Sequence, residues 1–397
     1  MFRPKLFRRL SLECIDDYGI MDRSRRASLS AEQKRKLSLL RTSSIPTKLT
    51  PVSHIYHTVV CPRKCCAKKY VVSTDHSGDI HVHVQGDLSQ QDKRCVFLTV
   101  HDLGTNHSSM VDFVNSPSMS EIKERSCFIH IDVPGHEENS PDLPDSYQFP
   151  SLQTLGEDLV TVLDFLHIRY AVGLGEGAGA NVLARCGLAH PRRLLGLILV
   201  NCTASTSSVA DAFRTRFSRW RGTDISQSEE DFLIYHKFGH QISGDTSEVS
   251  GRDRTLAEYR SRLRGTLNTH NIKLYVRAFI NRKDLLLRGC QLDILLITGT
   301  VSPYSTVIEK MFKELDKDKV TILKVEKVGD VLAEAPAKVA QSLLLFCQGQ
   351  GLLTSLPPPG VERRMSRAMS MEEYDKPNIR RLSLTPQMND SPPPRKL

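Results

Sequence analysis

Residues 173–180 read Gly-Leu-Gly-Glu-Gly-Ala-Gly-Ala and follow directly on an apolar stretch that ends at Val172. This tract predicts a strand that enters a sharp turn and then a helix, the geometry in which many hydrolytic enzymes present a nucleophile as Gly-x-Ser-x-Gly. Here the frame is residues 175–179, and its central residue is Gly177. Glycine also relieves the strain that such a turn places on any residue with a Cβ. We therefore predict that the turn forms without a nucleophile.

Strand patterns alternate with helical patterns on both sides of this turn. The later strands are continuous apolar runs, which is typical of parallel strands covered by helices on both faces. We predict strands at Ile80–Val84, Val96–Val100, Cys127–Asp132, Tyr170–Leu174, Leu195–Asn201, Asp293–Thr298 and Val320–Val325. Apolar spacing after Ser151, the residues 181–190, and Lys338–Phe346 predict helices between and after them.

Residues 203–290 interrupt the strand pattern with a polar, Arg-rich and predicted helical segment. An insertion here, between the sixth and seventh strands of the sheet, is where α/β-hydrolases carry their cap. The predicted fold class is therefore α/β, an α/β-hydrolase-like domain with a mostly parallel sheet, helices on both faces and a helical cap.

Net charge separates this domain from two flanking tails. The chain carries a formal charge of +9. Residues 1–50 hold twelve Lys/Arg against five Asp/Glu, residues 351–397 hold eight against five, and the remainder holds 34 against 35. We predict disordered tails at 1–52 and 351–397 around a domain at 53–350. A nucleic-acid module would carry its positive charge on folded elements, so we expect no nucleic acid partner.

The remaining positions of a catalytic triad can be located by their order along the chain, which in this fold is nucleophile, acid, histidine. Thr300 follows the strand that usually presents the acid. The last histidine is His270, ahead of that strand, and the loop for the base has Asp330 instead. With Gly177, the three positions are vestigial, so we predict no catalytic residue and exclude the serine-hydrolase mechanism.

The loop after the predicted strand Val96–Val100 includes His101, Asp102 and Gly104, at the position of an oxyanion-hole loop. Together with Ala178 it forms the predicted remnant of the old pocket. We interpret its polar side chains as groups that cap loops. A replacement catalytic group at this loop is the alternative.

Two patterns in the sequence resemble part of a cofactor site or a metal site. Gly173-x-Gly175-x-x-Ala178 satisfies the dinucleotide-binding pattern, but residues 177–210 contain no Asp or Glu to hold a ribose. Cys61, Cys65 and Cys66 lie close together without a second Cys/His pair at zinc-site spacing. We therefore predict neither a cofactor nor a metal ion.

Both tails repeat a motif that basophilic protein kinases recognise. Arg-Arg-x-Ser occurs four times, and two near matches accompany it. The predicted phosphorylation sites are Ser11, Ser28, Ser38, Ser366, Ser370 and Ser383. Each phosphate adds about −1.5 to −2 charges, so four would cancel most of the charge of the tails. The expected partners are these kinases and further proteins, with weak contact of the basic tails with an acidic membrane surface.

The chain resembles the N-myc downstream-regulated gene family, in an invertebrate form. The resemblance covers residues near Ser73 to Gly351 and rests on four tracts, at 101–107, 132–136 (Asp-Val-Pro-Gly-His), 173–185 and 336–338. It implies an α/β-hydrolase fold without catalysis, tail phosphorylation, a cytoplasmic location, and roles in growth control, differentiation, stress response and vesicle traffic. This chain differs from the family at Thr300, where members keep an aspartate, and it lacks their C-terminal decapeptide repeats.

Two functions follow as hypotheses. The first is a non-catalytic signalling adaptor whose tails are switched by phosphorylation. The second is a divergent hydrolase, or a protein that binds a small molecule or lipid in the vestigial pocket. The longest apolar runs are far shorter than the 18 or so residues that span a bilayer, and the first residues lack a secretory pattern. Both observations favour a cytoplasmic location.

Overall fold

A computed structural model describes residues 68–205, 225–239 and 249–357. Within these residues a single sheet has eight strands in the order β1-β2-β4-β3-β5-β6-β7-β8. The strands pair in parallel from β4 onward, whereas β2 is antiparallel to both of its neighbours. Their bounds are β1 Lys68–Thr74, β2 Gly78–Gln85, β3 Cys95–Val100, β4 Ser126–Asp132, β5 Ala171–Glu176, β6 Leu194–Val200, β7 Ile294–Gly299 and β8 Val320–Val325.

The seven predicted strands are all present, and one strand was missed. The missed strand is β1, an edge strand in which Val72 alone is fully buried. It begins with two lysines and carries no continuous apolar run, because an edge strand faces solvent along one side. Strand β5 also extends two residues further than predicted, to Glu176, so that the glycines before the turn are part of the strand.

Helices cover both faces of the sheet, as predicted for parallel strands. Apolar residues of α3 and α4 pack on one face, and those of α1, α2 and α10 pack on the other. The described helices are α1 His107–Val114, α2 Ser120–Glu124, α3 Leu152–Phe165, α4 Gly177–Ala189, α5 Gln227–Phe238, α6 Val249–Gly265, α7 Thr269–Ile280, α8 Ser305–Glu314, α9 Val331–Glu334 and α10 Pro336–Gly349. The Ser151 hydroxyl accepts the Thr154 N–H, which confirms the predicted N-cap of α3.

The predicted cap insertion lies between β6 and β7, and its described part is helical. Helices α5, α6 and α7 belong to it. Helix α5 begins with a reciprocal capping box, in which the Ser226 N–H donates to the Glu229 carboxylate. This cap lies over the carboxyl ends of the parallel strands, where ligands bind in open α/β sheets.

The packed region continues past residue 350, where the sequence predicted a tail to begin. Leu352, Leu353 and Leu356 are buried in the apolar cluster that also contains α10. Among the helices that the structure describes, none has the length and apolar character needed to cross a membrane.

Candidate functional site

The turn after β5 has the geometry that its glycines predicted. Gly177 has a φ of +52°, a conformation that side chains with a Cβ rarely adopt. A Cβ built at Gly177 would overlap the carboxylate of Asp102, which lies on the loop after β3. The Asp102 side chain therefore occupies the space in which a nucleophile would stand.

The same carboxylate also occupies the oxyanion position. The backbone N–H of Ala178, the residue after the nucleophile position, donates to Asp102 Oδ1 at 2.8 Å. In a working hydrolase this N–H stabilises the negative oxygen of the reaction intermediate. Here its partner is a permanent negative charge of the protein itself.

A histidine from the cap completes the shell around Asp102. The Nε2 of His236, on α5, lies 3.0 Å from both carboxylate oxygens, and both side chains are buried. Burial opposes ionisation of Asp102, but His236, Lys237 and the Ala178 N–H together outweigh burial and lower the pKa of the carboxyl to about 2. Because an ionised carboxylate only accepts, the His236 Nε2–H is the donor.

The other nitrogen of His236 contacts the hydroxyl of Tyr304. Carboxylate, imidazole and hydroxyl thus follow one another as in a catalytic triad. The adjacent imidazole is placed as the base of a nucleophilic hydroxyl would be, but a nucleophile must also be within reach of a substrate. Tyr304 is buried, and burial raises its pKa well above the ordinary value. The Tyr304 hydroxyl is therefore enclosed in a buried network.

A second buried ion cluster lies beside the first. Lys237 Nζ binds Glu176 Oε1 at 2.8 Å and Asp330 Oδ2 at 3.1 Å. Burial raises the pKa of Glu176 to about 8, with Asp330 and Asp102 adding to the effect and Lys237 opposing it. Burial opposes protonation of Lys237, yet Asp330 and Glu176 raise its pKa above the ordinary value. Asp330, at the vestigial histidine position, thus anchors a cap lysine and also caps α9.

The remaining predicted residues bind backbone groups or face the cap. His101 is buried, its Nδ1–H donates to the Asp102 carbonyl, and its Nε2 accepts the Val133 N–H. Burial lowers its pKa. The Thr300 hydroxyl accepts the Lys327 N–H. At Gly104 a Cβ would lie 2.5 Å from the hydroxyl oxygen of Tyr259, a cap residue.

A cavity of about 260 Å³ remains between the cap and α1. Among the described residues its lining includes Gly104 and Glu176, but neither Asp102 nor Gly177. Aromatic side chains of Phe113, Phe238 and Tyr259 line it as well. The open space therefore lies next to the former reaction centre and not at it.

Sequence reasoning missed both cap residues of this site, His236 and Lys237. The order of a triad along the chain places its histidine downstream of β7, whereas His236 and Lys237 lie upstream of β7, in the cap. The adjacent pair His236-Lys237 in an otherwise apolar turn of helix, Phe232 to Phe238, is the signal that was available. The six predicted phosphorylation sites, Ser11, Ser28, Ser38, Ser366, Ser370 and Ser383, lie outside the described residues.

Comparison with known proteins supports the fold and the family. An esterase from Thermogutta terrifontis superposes with a TM-score of 0.58 at 17% identity, covering 71% of this chain and 99% of that one. A hydrolase from Pseudomonas aeruginosa superposes with a TM-score of 0.53 at 18% identity, covering 70% and 97%. At these identities the likeness shows the α/β-hydrolase fold alone.

Proteins with similar sequences identify the family. An uncharacterised Caenorhabditis elegans protein is 40% identical over 79% of this chain and 94% of its own length. The protein NDRG1 of Xenopus tropicalis is 30% identical over 78% of both chains. The protein NDRG2 of Bos taurus is 29% identical over 73% of this chain and 79% of its own. The model of the Ndr family matches residues 70–354, and the chain belongs to that family.

Proposed function

We propose that this protein is a non-catalytic signalling adaptor that uses the α/β-hydrolase fold as a scaffold for protein contacts. Its location is cytoplasmic, and its processes are those that the family resemblance implies, namely growth and differentiation, stress response and vesicle traffic. One observation carries the proposal: the Asp102 carboxylate accepts the Ala178 N–H and takes the space above Gly177.

The charge of Asp102 supports this proposal. An oxyanion hole accelerates acyl transfer because its N–H groups meet a charge that develops only in the transition state. A carboxylate with a pKa of about 2 holds a full negative charge there at neutral pH. It would repel a developing oxyanion in a buried site, where charges interact more strongly than in water.

Activity assays test the absence of catalysis. We expect purified full-length protein to hydrolyse short-chain p-nitrophenyl esters no faster than buffer, and a fluorophosphonate probe to label no residue. A related esterase under the same conditions serves as the positive control. Turnover above the buffer rate that is lost in His101→Ala or Asp102→Asn, with an unchanged far-UV circular dichroism spectrum, would contradict the proposal.

The tails supply the regulation in this proposal. Phosphorylation of Ser11, Ser28, Ser38, Ser366, Ser370 and Ser383 by basophilic kinases would replace positive by negative charge. It would thereby release contacts with acidic surfaces and create sites for phosphoserine-binding partners. Phosphopeptide mapping after kinase stimulation should detect Ser28 or Ser383. Finding neither modified would remove the switch from the proposal.

A pull-down distinguishes the partners. Full-length protein phosphorylated in vitro and the same protein treated with phosphatase are compared, with Ser28→Ala/Ser383→Ala as the matched control. Partners that depend on phosphate should be retained by the first sample and lost from the other two. An identical set of bound proteins in all three samples contradicts regulation through these serines.

The cavity beside Glu176 favours a second candidate, the binding of a small molecule or lipid. Three aromatic side chains and the buried carboxyl groups of Glu176 and Asp330 line it. Native mass spectrometry of protein purified from its own cells tests this function. A bound small molecule that Tyr259→Ala loses would favour ligand binding, and its absence would favour the adaptor.

A further inference from the structure

Three side chains of metal-ligating types lie together at the start of α1 and on the neighbouring strands β2 and β4. His83 of β2, His107 of α1 and Asp132 of β4 place one nitrogen or oxygen each within 4.8 Å of one another. His83 Nε2 lies 3.0 Å from Asp132 Oδ2, and His107 Nδ1 lies 2.8 Å from the same oxygen. Among the residues that the structure describes, no other group of three His, Cys, Asp or Glu side chains brings its ligand atoms this close together.

The sequence places these residues together through three local rules. Alternation along Ile80-His81-Val82-His83-Val84 puts apolar residues on one face of β2 and histidines on the other. Strand β2 pairs with β4 so that His83 lies opposite His130 and His81 opposite Asp132. Helix α1 then begins at His107, directly above the end of β4.

A backbone hydrogen bond fixes the orientation of the Asp132 carboxylate, as is typical of metal ligands. Its Oδ1 accepts the backbone N–H of His107 at 2.6 Å, which leaves Oδ2 to face both imidazoles. The carboxylate is fully buried. Outer contacts of this kind orient ligating groups in metal sites.

The three ligand atoms lie close to the separations that an ion needs. Bonds of about 2.1 Å around a tetrahedral ion put neighbouring ligand atoms about 3.4 Å apart. The two nitrogen–oxygen distances, 3.0 and 2.8 Å, are those of hydrogen bonds and are somewhat shorter. An ion that replaces the shared protons therefore moves these atoms apart by about half an ångström.

Access distinguishes this cluster from the pair Asp102–His236. The side chains of His83 and His107 are 12% and 16% exposed, whereas that of His236 is fully buried. The two imidazoles of the cluster are stacked with ring centroids 3.5 Å apart. Because ligating nitrogens must converge on an ion, one of these partly exposed rings turns when the ion enters.

We propose that His83, His107 and Asp132 form a binding site for a divalent transition-metal ion of the zinc type. Two imidazoles with one carboxylate suit zinc and its neighbours in the first transition row, whereas magnesium and calcium prefer oxygen ligands alone. Three protein ligands leave at least one coordination position for water. The ion would join β2, β4 and the start of α1.

The test is a titration of full-length protein with Co²⁺ and Zn²⁺ after a chelator has removed any bound metal. Co²⁺ should give visible d–d absorption bands with one equivalent bound, and Zn²⁺ should compete for the site and raise the melting temperature. His83→Gln and His107→Asn keep a donor near the position of the ligating nitrogen but remove the ligand itself. We expect each to weaken metal binding at least about 10-fold, since even outer-shell changes cost 10- to 100-fold.

Two control variants make the result specific. His76→Gln removes an exposed histidine that contacts Asp158 and should leave binding unchanged. Cys61→Ser/Cys65→Ser/Cys66→Ser removes thiols that could bind zinc elsewhere. The proposal is overturned if Co²⁺ gives no d–d bands, if His83→Gln and His107→Asn bind as wild type does, or if the cysteine variant loses the metal.

Discussion

Two carboxylate–imidazole clusters in this protein are made from the same side chains and differ in access to solvent. Asp102 meets His236 under the cap, where both are buried and their remaining atoms contact Ala178 and Tyr304. Asp132 meets His83 and His107 on the sheet face, where both rings are partly exposed. Asp102 and its imidazole partner are both closed to solvent. The two imidazoles that contact Asp132, in contrast, are partly exposed to solvent. Carboxylate–imidazole contacts are therefore closed to solvent beneath the cap and partly accessible on the sheet face.

The region beneath the cap contains buried groups of opposite charge. We expect the largest loss of stability when their cation is removed in Lys237→Met. The substitution leaves the buried Asp330 carboxylate without its cation and Glu176 without its hydrogen-bond donor, which costs about 3–5 kcal/mol of unfolding free energy. Urea unfolding at pH 7.5 measures the loss. Lys324→Met, which removes a partly exposed lysine paired with Glu309, is the control and should move the midpoint far less. Equal losses in the two variants would show that the buried cluster is not what stabilises the cap.

Glu176→Gln should change how stability depends on pH. Burial raises the pKa of Glu176 from 4.5 to about 8, so between these values the folded state holds a proton that the unfolded chain has lost. Wild-type stability should thus fall as pH rises through this interval, by on the order of 3–4 kcal/mol. Glutamine has no proton to lose, so the variant should lack this fall when unfolding is measured at pH 5 and pH 8. Glu121→Gln, at an exposed position, should keep it, and a wild-type slope in Glu176→Gln would contradict the assignment.

Gly177→Ala tests whether Asp102 fills the nucleophile position. The added Cβ must displace the carboxylate and adopt a positive φ, which together cost about 2–4 kcal/mol. A double-mutant cycle with Asp102→Ala should recover part of that loss, because the two side chains then no longer compete. Gly265→Ala adds a Cβ with nothing within 4 Å and serves as control. Additive losses in the cycle would mean that the carboxylate does not occupy this space.

The smallest effect is expected for His83→Gln, which we compare with the same substitution at His236 in the other cluster. His83→Gln keeps an N–H for Asp132 at a partly exposed position and should cost less than about 1 kcal/mol without metal. His236→Gln loses the contact with Tyr304 in a sealed site and should cost several times more. Thermal unfolding of the two metal-free variants makes the comparison. Similar losses would indicate that the histidine face is as tightly packed as the region beneath the cap.

Much of the fold could be predicted because its signals are local. The glycine tract at 173–180 predicted the strand, the turn and the helix, and Ser151 predicted the start of α3. The sheet was predicted because parallel strands buried on both faces must be apolar throughout. Strand β1 was missed for the converse reason, since an edge strand such as Lys68–Thr74 needs few apolar residues.

Residue order along the chain located three positions of the site, but not the side chains that surround them. Gly177, Thr300 and Asp330 could be placed by their order along the chain. His236 and Lys237 could not, because their partners Asp102 and Glu176 lie 134 and 61 residues away. No local sequence pattern predicts which polar side chains of a cap will contact the loops at the end of the sheet. The histidine alternation at 80–84 was visible, but its significance depends on Asp132 and His107.

The order of residues along the chain was sufficient for the fold, the family and the loss of a nucleophile, because apolar periodicity and a missing side chain are local properties. How the vacated space is used depended on packing. Packing brings distant charges together, and the different partners of Asp102 and Glu176 make their pKa values shift in opposite directions. Packing also leaves Asp132 with partners that solvent can reach. Those outcomes follow from proximity and solvent exclusion, which exist only once the chain has folded.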